Sequence, residues 1–394
     1  MHLMQLGEGY NLEKIKLLLK NNKLFYYIYR GFFNTFLNFL KLFIKVDENV
    51  VLFNSFGGQK FDDSPKAIYD YMIKNDKYKN YKFYWAFDHP EKYSLEKGEK
   101  IKNNTFKYFV VALKAKFWIS NSGIERGLKF KNKKTLYINT WHGTTIKKLG
   151  NDQNNNLCKF KTTKPDIMYA QGKYDVDTLS SAFDIDKSHF VLSGLPRNDS
   201  LSKTITKTEI KNIKSKLNIP SDKKVIIYMP TFREFDKDKN GSYIAPPINL
   251  SKWKKNLKDE YVLLFRAHYE TKKILGIKND KFVYDVSSYE PLEELLKISD
   301  ILISDYSSVM FDYSILERPI FSFAYDYEKY VENRGVYIDI RKELPNGICE
   351  NEDQLLEKIK NCNYEEEIIK SRNFKNKYIE KYGNAASYID NIIK

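Results

Sequence analysis

A chain of 394 residues is long enough for two domains of ordinary size. Its 42% hydrophobic and 15% aromatic content excludes a disordered chain, and a formal net charge of +15 points to an anionic partner: nucleic acid, an acidic membrane or a polyanionic substrate. Three scattered cysteines, Cys158, Cys349 and Cys362, give neither a disulfide framework nor a zinc site and fit a reducing compartment.

The start, Met1 to Tyr10, lacks a basic stretch followed by an apolar core, so no cleavable signal is expected. Residues 24–45 are strongly aromatic and apolar, and the polar residues Arg30, Asn34, Asn38, Lys41 and Lys45 recur at spacings of 4, 4, 3 and 4, one stripe along a helix. Arg30 and Lys41 within the run argue against a spanning helix. A wide aromatic face with a narrow cationic stripe suits a helix lying in a membrane interface, with Arg30, Phe33, Phe36, Lys41 and Lys45 as its contacts. The other reading is a helix buried against the first domain.

From Asn49 the texture is α/β. Val50–Phe53 reads as a strand, followed by Asn54-Ser55-Phe56-Gly57-Gly58, a loop able to bring backbone close to a ligand. A helix is expected over Pro65–Ile73, and strands at Lys82–Ala86, Ala115–Ser120 and Leu136–Asn139. This alternation predicts a doubly wound parallel sheet, without the G-x-G-x-x-G dinucleotide fingerprint. The stretch Thr140-Trp141-His142-Gly143-Thr144-Thr145 then leaves a strand end, with Lys147 and Lys148 just beyond. A histidine beside hydroxyls, glycine and cations at such an end is placed to meet a phosphorylated substrate, or is held by a hydrogen bond in a turn. Asp166–Ala170 and His189–Ser193 are two more strands, the second running into Gly194-Leu195-Pro196-Arg197-Asn198-Asp199.

Lysine- and serine-rich sequence, Ser200 to Lys224, separates a second α/β half. The expected organisation is a membrane-associating segment over 1–48, one α/β domain over 49–205 and a second over 206–394. In the second half, Val225–Met229 is a strand leading to Pro230-Thr231-Phe232-Arg233, and the polar insert Glu234–Pro247 reads as a surface loop. Tyr261–Phe265 is a strand ending in Arg266-Ala267-His268; Lys281–Val286 is another. A helix over Pro291–Ile298 precedes the strand Ile301–Ser304, the turn Asp305-Tyr306-Ser307-Ser308, a helix over Val309–Leu316 and the strand Pro319–Phe323. The charged stretch from Asn351 reads as helices, and no solenoid repeat is visible.

In open α/β sheets, ligands bind outside the carboxyl ends of the strands. Those ends carry His142, Arg197, Thr231, Arg233, Arg266, His268, Asp305, Ser307 and Ser308, a set suited to holding a pyrophosphate and moving a proton. Ser307 and Ser308 open a helix, where hydroxyls and free N–H groups hold phosphate oxygens or simply cap. Asp305 would repel phosphate, so it binds a sugar hydroxyl or orients the turn. Arg233 and Arg266 are phosphate ligands or salt-bridge partners.

Six blocks in order over about residues 50–340 resemble the CDP-glycerol glycerophosphotransferase family, the teichoic acid primases and polymerases. They are Thr140-Trp141-His142-Gly143-Thr144 with Lys147-Lys148-Leu149-Gly150; Gly194 to Asp199; Tyr228-Met229-Pro230-Thr231-Phe232-Arg233; Arg266-Ala267-His268; Ser304-Asp305-Tyr306-Ser307-Ser308 with Phe311-Asp312-Tyr313; and Arg318-Pro319 before Tyr325-Asp326. The resemblance implies a GT-B-like pair of Rossmann-type domains facing a cleft, a Rossmann-like acceptor domain over 49–205 and a Rossmann-like donor domain over 206–394. It implies transfer of an alditol phosphate, glycerol or ribitol, from a CDP-activated donor to a hydroxyl, with release of CMP. His142 matches the family's histidine proposed as base, His268 its second essential histidine, and Asp305–Ser308 its donor-phosphate region. Thr145 and Tyr269 stand where the family often has proline, which loosens the match in loop geometry.

The expected reaction is in-line attack by an acceptor hydroxyl, with His142 taking the proton and cations, helix N-terminus and His268 stabilising charge. No cofactor or metal is expected. The expected acceptor is a polyprenyl-linked or growing wall or capsule polymer at the cytoplasmic face of an anionic membrane. A GT-B glycosyltransferase using a nucleotide sugar is the alternative enzyme. Nucleic acid is not the expected partner, because the lysines are scattered and no recognised motif appears.

Overall fold

The computed structural model describes residues 22–153, 163–233 and 244–393. The expectations for Met1–Tyr10, for Cys158 and for most of the insert Glu234–Pro247 lie outside them. The described chain divides into two compact units: residues 22–61, 75–139 and 163–166, and residues 62–74, 140–153, 167–233 and 244–393. This differs from the single cut expected near residue 205. The helix Asp63–Lys74 groups with the second unit, where Tyr71 Oη donates to Asp390 at 2.5 Å and Asp63 pairs with Arg197.

In the first unit, β1 (Asp47–Asn54), β2 (Lys82–Phe87), β3 (Glu99–Lys102), β4 (Ala115–Ser120) and β5 (Leu136–Asn139) are all parallel, in the order β3-β2-β1-β4-β5. Val50 to Asn54 are buried without alternation, as expected of a central parallel strand covered on both faces. The helix Phe106–Lys114 starts at Thr105, whose hydroxyl accepts from the Tyr108 N–H, and packs Tyr108, Ala112 and Leu113 with Leu52 and Trp118. β3 went unread in the sequence because it is a charged strand with one buried residue, Ile101.

The helix Lys23–Leu40 forms where the aromatic run predicts one. Leu37 is buried, and Phe33, Leu40 and Ile44 pack beside it on the core of this unit. The polar stripe lies against protein: Asn34 Oδ1 accepts from the Lys129 N–H at 2.7 Å, Asn38 Nδ2 donates to the Lys129 carbonyl at 2.9 Å, and Lys41 Nζ donates to Asn38 Oδ1 at 2.6 Å. Of the five contacts expected for a membrane, Phe33 and Lys41 are therefore engaged internally, Arg30 is half-buried, and Phe36 and Lys45 are exposed. A second apolar face is open, with Phe32 66%, Phe39 60% and Phe43 69% exposed. Among the described residues, no helix is long and apolar enough to cross a membrane.

The second unit contains the parallel pair β6 (Ile167–Ala170) and β7 (Phe190–Leu192), and a five-stranded parallel sheet. That sheet is β8 (Lys224–Tyr228), β9 (Tyr261–Phe265), β10 (Val283–Asp285), β11 (Ile301–Ser304) and β12 (Ile320–Ser322), in the order β10-β9-β8-β11-β12. Alternation along the strands fills both faces: Val225, Ile227, Val262, Leu264 and Leu302 enter one core, and Ile226, Tyr228, Leu263, Phe265 and Ile303 the other. Each five-strand array thus runs third, second, first, fourth, fifth in its own chain order. Each reverses direction once, between β1 and β4 and between β8 and β11. The parallel α/β expectation holds for each unit.

Candidate functional site

The reversal between β8 and β11 is the position where a doubly wound sheet opens a crevice. Thr231 follows β8, and Asp305 to Ser308 follow β11. Asp305 is fully buried and takes four bonds: from the Thr231 N–H at 2.9 Å, the Tyr306 N–H at 2.7 Å and Arg233 Nη1 at 2.5 Å, with its second oxygen 3.2 Å from the Thr231 nitrogen. Asp305 therefore orients the turn, with both oxygens engaged by protein donors.

Arg233, expected to bind the donor, is consumed internally as well. Its Nε and Nη2 donate to Asp326 at 3.0 and 2.9 Å, and Nη1 also reaches the Thr231 carbonyl. The guanidinium lies 4.9 Å from the Tyr306 ring centroid and 5.0 Å from that of Tyr325. Burial alone would lower its pKa, but Asp305 and Asp326 outweigh burial and raise it, so the cation is permanent. A buried guanidinium between two carboxylates holds together the β8 end, the β11 end and the segment after β12.

The histidine loop faces this end. Trp141 adopts φ +50°, an uncommon conformation for a bulky side chain, with its ring 4.0 Å from that of His142 and 4.8 Å from that of Phe183. Trp141 packs to fix the loop. Gly143 has φ +125°, and a Cβ there would lie 2.3 Å from Arg197 Nη2 and 2.7 Å from Ser308 Oγ, so only glycine fits. The far end of the loop is strapped by backbone: the Tyr337 N–H donates to the Ile146 carbonyl at 2.8 Å and the Lys148 N–H to the Gly335 carbonyl at 3.1 Å.

Between these walls lies a cavity of about 220 Å³, lined by His142, Thr144, Lys147, Thr231, Tyr306, Ser307 and Ser308 among others. Thr231 Oγ1 is buried with no hydrogen-bond partner, an orphan hydroxyl in the cavity wall. Ser307 Oγ accepts from the Val309 N–H at 3.3 Å, and the Ser308 side chain makes no capping bond. Lys147 brings a cation to the same lining. Residues bearing an imidazole and hydroxyls thus line the cavity, and the expected guanidiniums do not.

Three further expected residues lie elsewhere. Arg197 sits behind Gly143, donating through Nη1 to Asp63 at 3.0 Å and through Nη2 to Asp312. Two buried carboxylates take its Nη groups while Nε is buried with no hydrogen-bond partner, so in this arrangement it supports the loop behind Gly143. Arg266 is half-buried, with Nη1 donating to the carbonyls of Val286 at 3.0 Å and Tyr289 at 2.5 Å, and burial lowers its pKa. His268 is exposed and stacked on Phe232, with ring centroids 4.2 Å apart. Neither Arg266 nor His268 lines this cavity. Among the described residues, no group of three or more histidine, cysteine or acidic side chains is arranged to hold a metal ion. Tyr306 and Thr144, which line the cavity, were not singled out from the sequence, although both fall inside motif blocks.

The chain matches the family described as CDP-glycerol:poly(glycerophosphate) glycerophosphotransferase over residues 36–394. It is 39% identical over 345 residues to a teichoic acid poly(glycerol phosphate) polymerase of Staphylococcus epidermidis, covering 82% of this chain but 47% of that protein. A teichoic acid glycerol-phosphate transferase of Staphylococcus aureus is 35% identical, over 80% of this chain and 84% of its own length. A poly(glycerol phosphate) polymerase of Bacillus spizizenii is 33% identical, over 88% and 92%. The solved wall teichoic acid polymerase TagF superposes with a TM-score of 0.81 at 35% identity, covering 97% of both chains. The chain belongs to the CDP-glycerol:poly(glycerophosphate) glycerophosphotransferase family.

Proposed function

We propose that the protein transfers glycerol phosphate, or a related alditol phosphate, from its CDP derivative to a hydroxyl of a lipid-linked acceptor or growing teichoic acid polymer. The observation that carries the site assignment is the cavity at the β8/β11 reversal, lined by His142, Thr231, Ser307 and Ser308, with the Thr231 hydroxyl buried and unpartnered in its wall. In this reading Thr231, Ser307 and Ser308 hold the diphosphate oxygens and Lys147 offsets their charge. The acceptor oxygen attacks the phosphorus that carries glycerol while His142 takes its proton. The bond from that phosphorus to the bridging oxygen breaks, and CMP leaves with the electron pair. His268, beside Thr231 through Phe232, is the second imidazole of the proposal, available to the part of the donor that a 220 Å³ cavity leaves outside.

The relatives support this donor class: they are named for glycerol-phosphate transfer, and TagF has been solved after soaking with CDPG. The GT-B-like pairing of two Rossmann-type domains is part of the same reading, supported by the shared strand order of the two arrays. Donor screening is the test. CMP release from CDP-glycerol or CDP-ribitol, with no UDP release from sugar nucleotides, is expected; the reverse pattern would replace this function with glycosyl transfer.

Peripheral attachment to the cytoplasmic face of an anionic membrane belongs to the proposal too. Its support is the open face of the helix Lys23–Leu40 and the following turn, with Phe32, Phe39, Leu42 and Phe43 exposed beside the cation Lys45. Phe32→Ser with Phe39→Ser and Phe43→Ser leaves the packed face intact and should release the protein from anionic liposomes. Undiminished flotation with liposomes would remove this part of the proposal.

A further inference from the structure

Beneath the cavity lies a residue to which no motif drew attention. Gln171 immediately follows β6 and is completely buried. A buried primary amide is costly unless its donors and acceptor are used, and here both ends are engaged. Nε2 donates to Thr144 Oγ1 at 2.7 Å, on the histidine loop. Oε1 accepts from Asn198 Nδ2 at 3.3 Å, and the same Asn198 nitrogen donates to Asp312 Oδ1 at 2.7 Å. Asp312 belongs to the short helix Val309–Ser314, directly after Ser307 and Ser308. The Gln171 backbone is fixed independently, its N–H donating to Asp175 Oδ2 at 3.0 Å and its carbonyl accepting from the N–H groups of Glu380 and Lys381 at 2.7 and 3.0 Å.

A continuous polar chain, Thr144–Gln171–Asn198–Asp312, therefore ties the wall that carries His142 to the wall that carries Ser307 and Ser308. Gln171 does not line the cavity, so it acts through its neighbours. Satisfied polar chains in a low-dielectric interior specify one arrangement, and displacement of a reacting group by about 1 Å can cost on the order of 10²-fold in rate.

We propose that Gln171 is a positioning residue for the transfer reaction, its amide setting the separation between His142 and the Ser307–Ser308 turn through Thr144 on one side and Asn198–Asp312 on the other. The proposal rests on the function stated above. It differs from a purely structural role, in which losing the amide would lower stability but leave turnover of the folded enzyme unchanged.

The test is steady-state kinetics of the full chain with CDP-glycerol. Q171M keeps the length of the side chain and removes both bonds; kcat should fall about 10- to 100-fold, with donor KM changed less than about threefold. Q171E supplies a readout that a structural role would not move. Protonated, the glutamic acid donates to Thr144 and accepts from Asn198 as glutamine does; ionised, it cannot donate. The ratio of Q171E to wild-type kcat should therefore rise about tenfold or more on the acid side of that carboxyl's titration, with Asp175, Asp312 and Arg197 the charged groups around it. A folded Q171M with wild-type kcat, or a Q171E ratio that stays flat across that carboxyl's titration followed by infrared spectroscopy, overturns the proposal; if Q171M does not fold, the Q171E ratio decides alone. Absence of CMP release by the wild type would instead overturn the function on which the proposal rests, and the proposal with it.

Discussion

The two five-strand arrays share one strand order, yet their reversal points differ in what fills them. At the β1/β4 reversal the loop Asn54–Gly58 is closed by its own surroundings. The Phe56 N–H donates to Asn121 Oδ1 at 2.8 Å and the Gly57 N–H to Ser122 Oγ at 2.9 Å, while the Gly57 carbonyl accepts from Asn103 Nδ2 at 2.9 Å and Arg126 Nη1 at 2.6 Å. Backbone expected to approach a ligand is already paired. At the β8/β11 reversal, carboxylates and guanidiniums pair with one another behind the walls, and a cavity is left between them with the Thr231 hydroxyl buried and unpartnered in its wall. Buried polar atoms without a partner occur at both reversals, Asn54 Oδ1 and Asn103 Oδ1 at the first and Thr231 Oγ1 at the second, so what separates them is that the loop backbone is paired at the first and a cavity lined by His142, Thr231, Ser307 and Ser308 lies at the second.

The largest effect should come from the open reversal. His142→Ala is expected to lower turnover about 10²- to 10⁴-fold with folding intact, as measured by CMP release beside circular dichroism; turnover near the wild-type rate would remove the imidazole from the chemistry.

Arg233→Met tests whether the buried cation is framework. Removing it leaves Asp305 and Asp326 unpaired in the interior, at a cost of about 3–5 kcal/mol in chemical denaturation. A loss of CDP-glycerol affinity without loss of stability would instead return Arg233 to the ligand-binding set.

Asp175 gives the pH dependence. Burial raises its carboxyl to about 6 from 3.8, against the opposing Gln171 N–H and Thr144 hydroxyl. The folded state then holds a proton that the unfolded state has lost between about pH 4 and 6, so this group's contribution to stability falls as pH rises through that window and is flat above it. Asp175→Asn should add up to about 3 kcal/mol near pH 7 and nothing below pH 4. An increment independent of pH would show that the carboxyl is not perturbed in this way.

The smallest effects form a contrasting pair. Asn121→Ala, at the closed reversal, should cost about 1–3 kcal/mol of stability by orphaning the Phe56 N–H, with donor KM unchanged. Thr231→Val, at the open one, should leave stability intact while kcat/KM for the donor falls about 10- to 100-fold. Interchanged outcomes would contradict the distinction between the two reversals.

Much of this was legible from residues. His142, Thr231, Ser307 and Ser308 follow strands whose apolar periodicity marks their ends, and all four reach one cavity. The roles of Arg197, Arg233 and Asp305 were not, because Asp63, Asp312 and Asp326, the carboxylates that complete their pairings, lie on elements distant in sequence. Local pattern reports that a cation stands at a strand end but not whether another element has already neutralised it. Gln171 was invisible for the same reason, since its meaning lies in joining Thr144 to Asn198. On the helix Lys23–Leu40 the stripe of Asn34, Asn38 and Lys41 was read from spacing, but that it turns toward Lys129 and Lys131 depends on tertiary packing.

In the proposed reaction the donor's diphosphate occupies the cavity at the β8/β11 reversal. The most direct measurement is a crystal structure of His142→Ala soaked with CDP-glycerol. Phosphate oxygens are expected within hydrogen-bond distance of Thr231 Oγ1 and of the Ser307–Ser308 turn, with Arg233 still bound to Asp305 and Asp326. A diphosphate held by Arg233 or Arg197, with their carboxylate pairs broken, or seated away from Thr231 and Ser308, would contradict it.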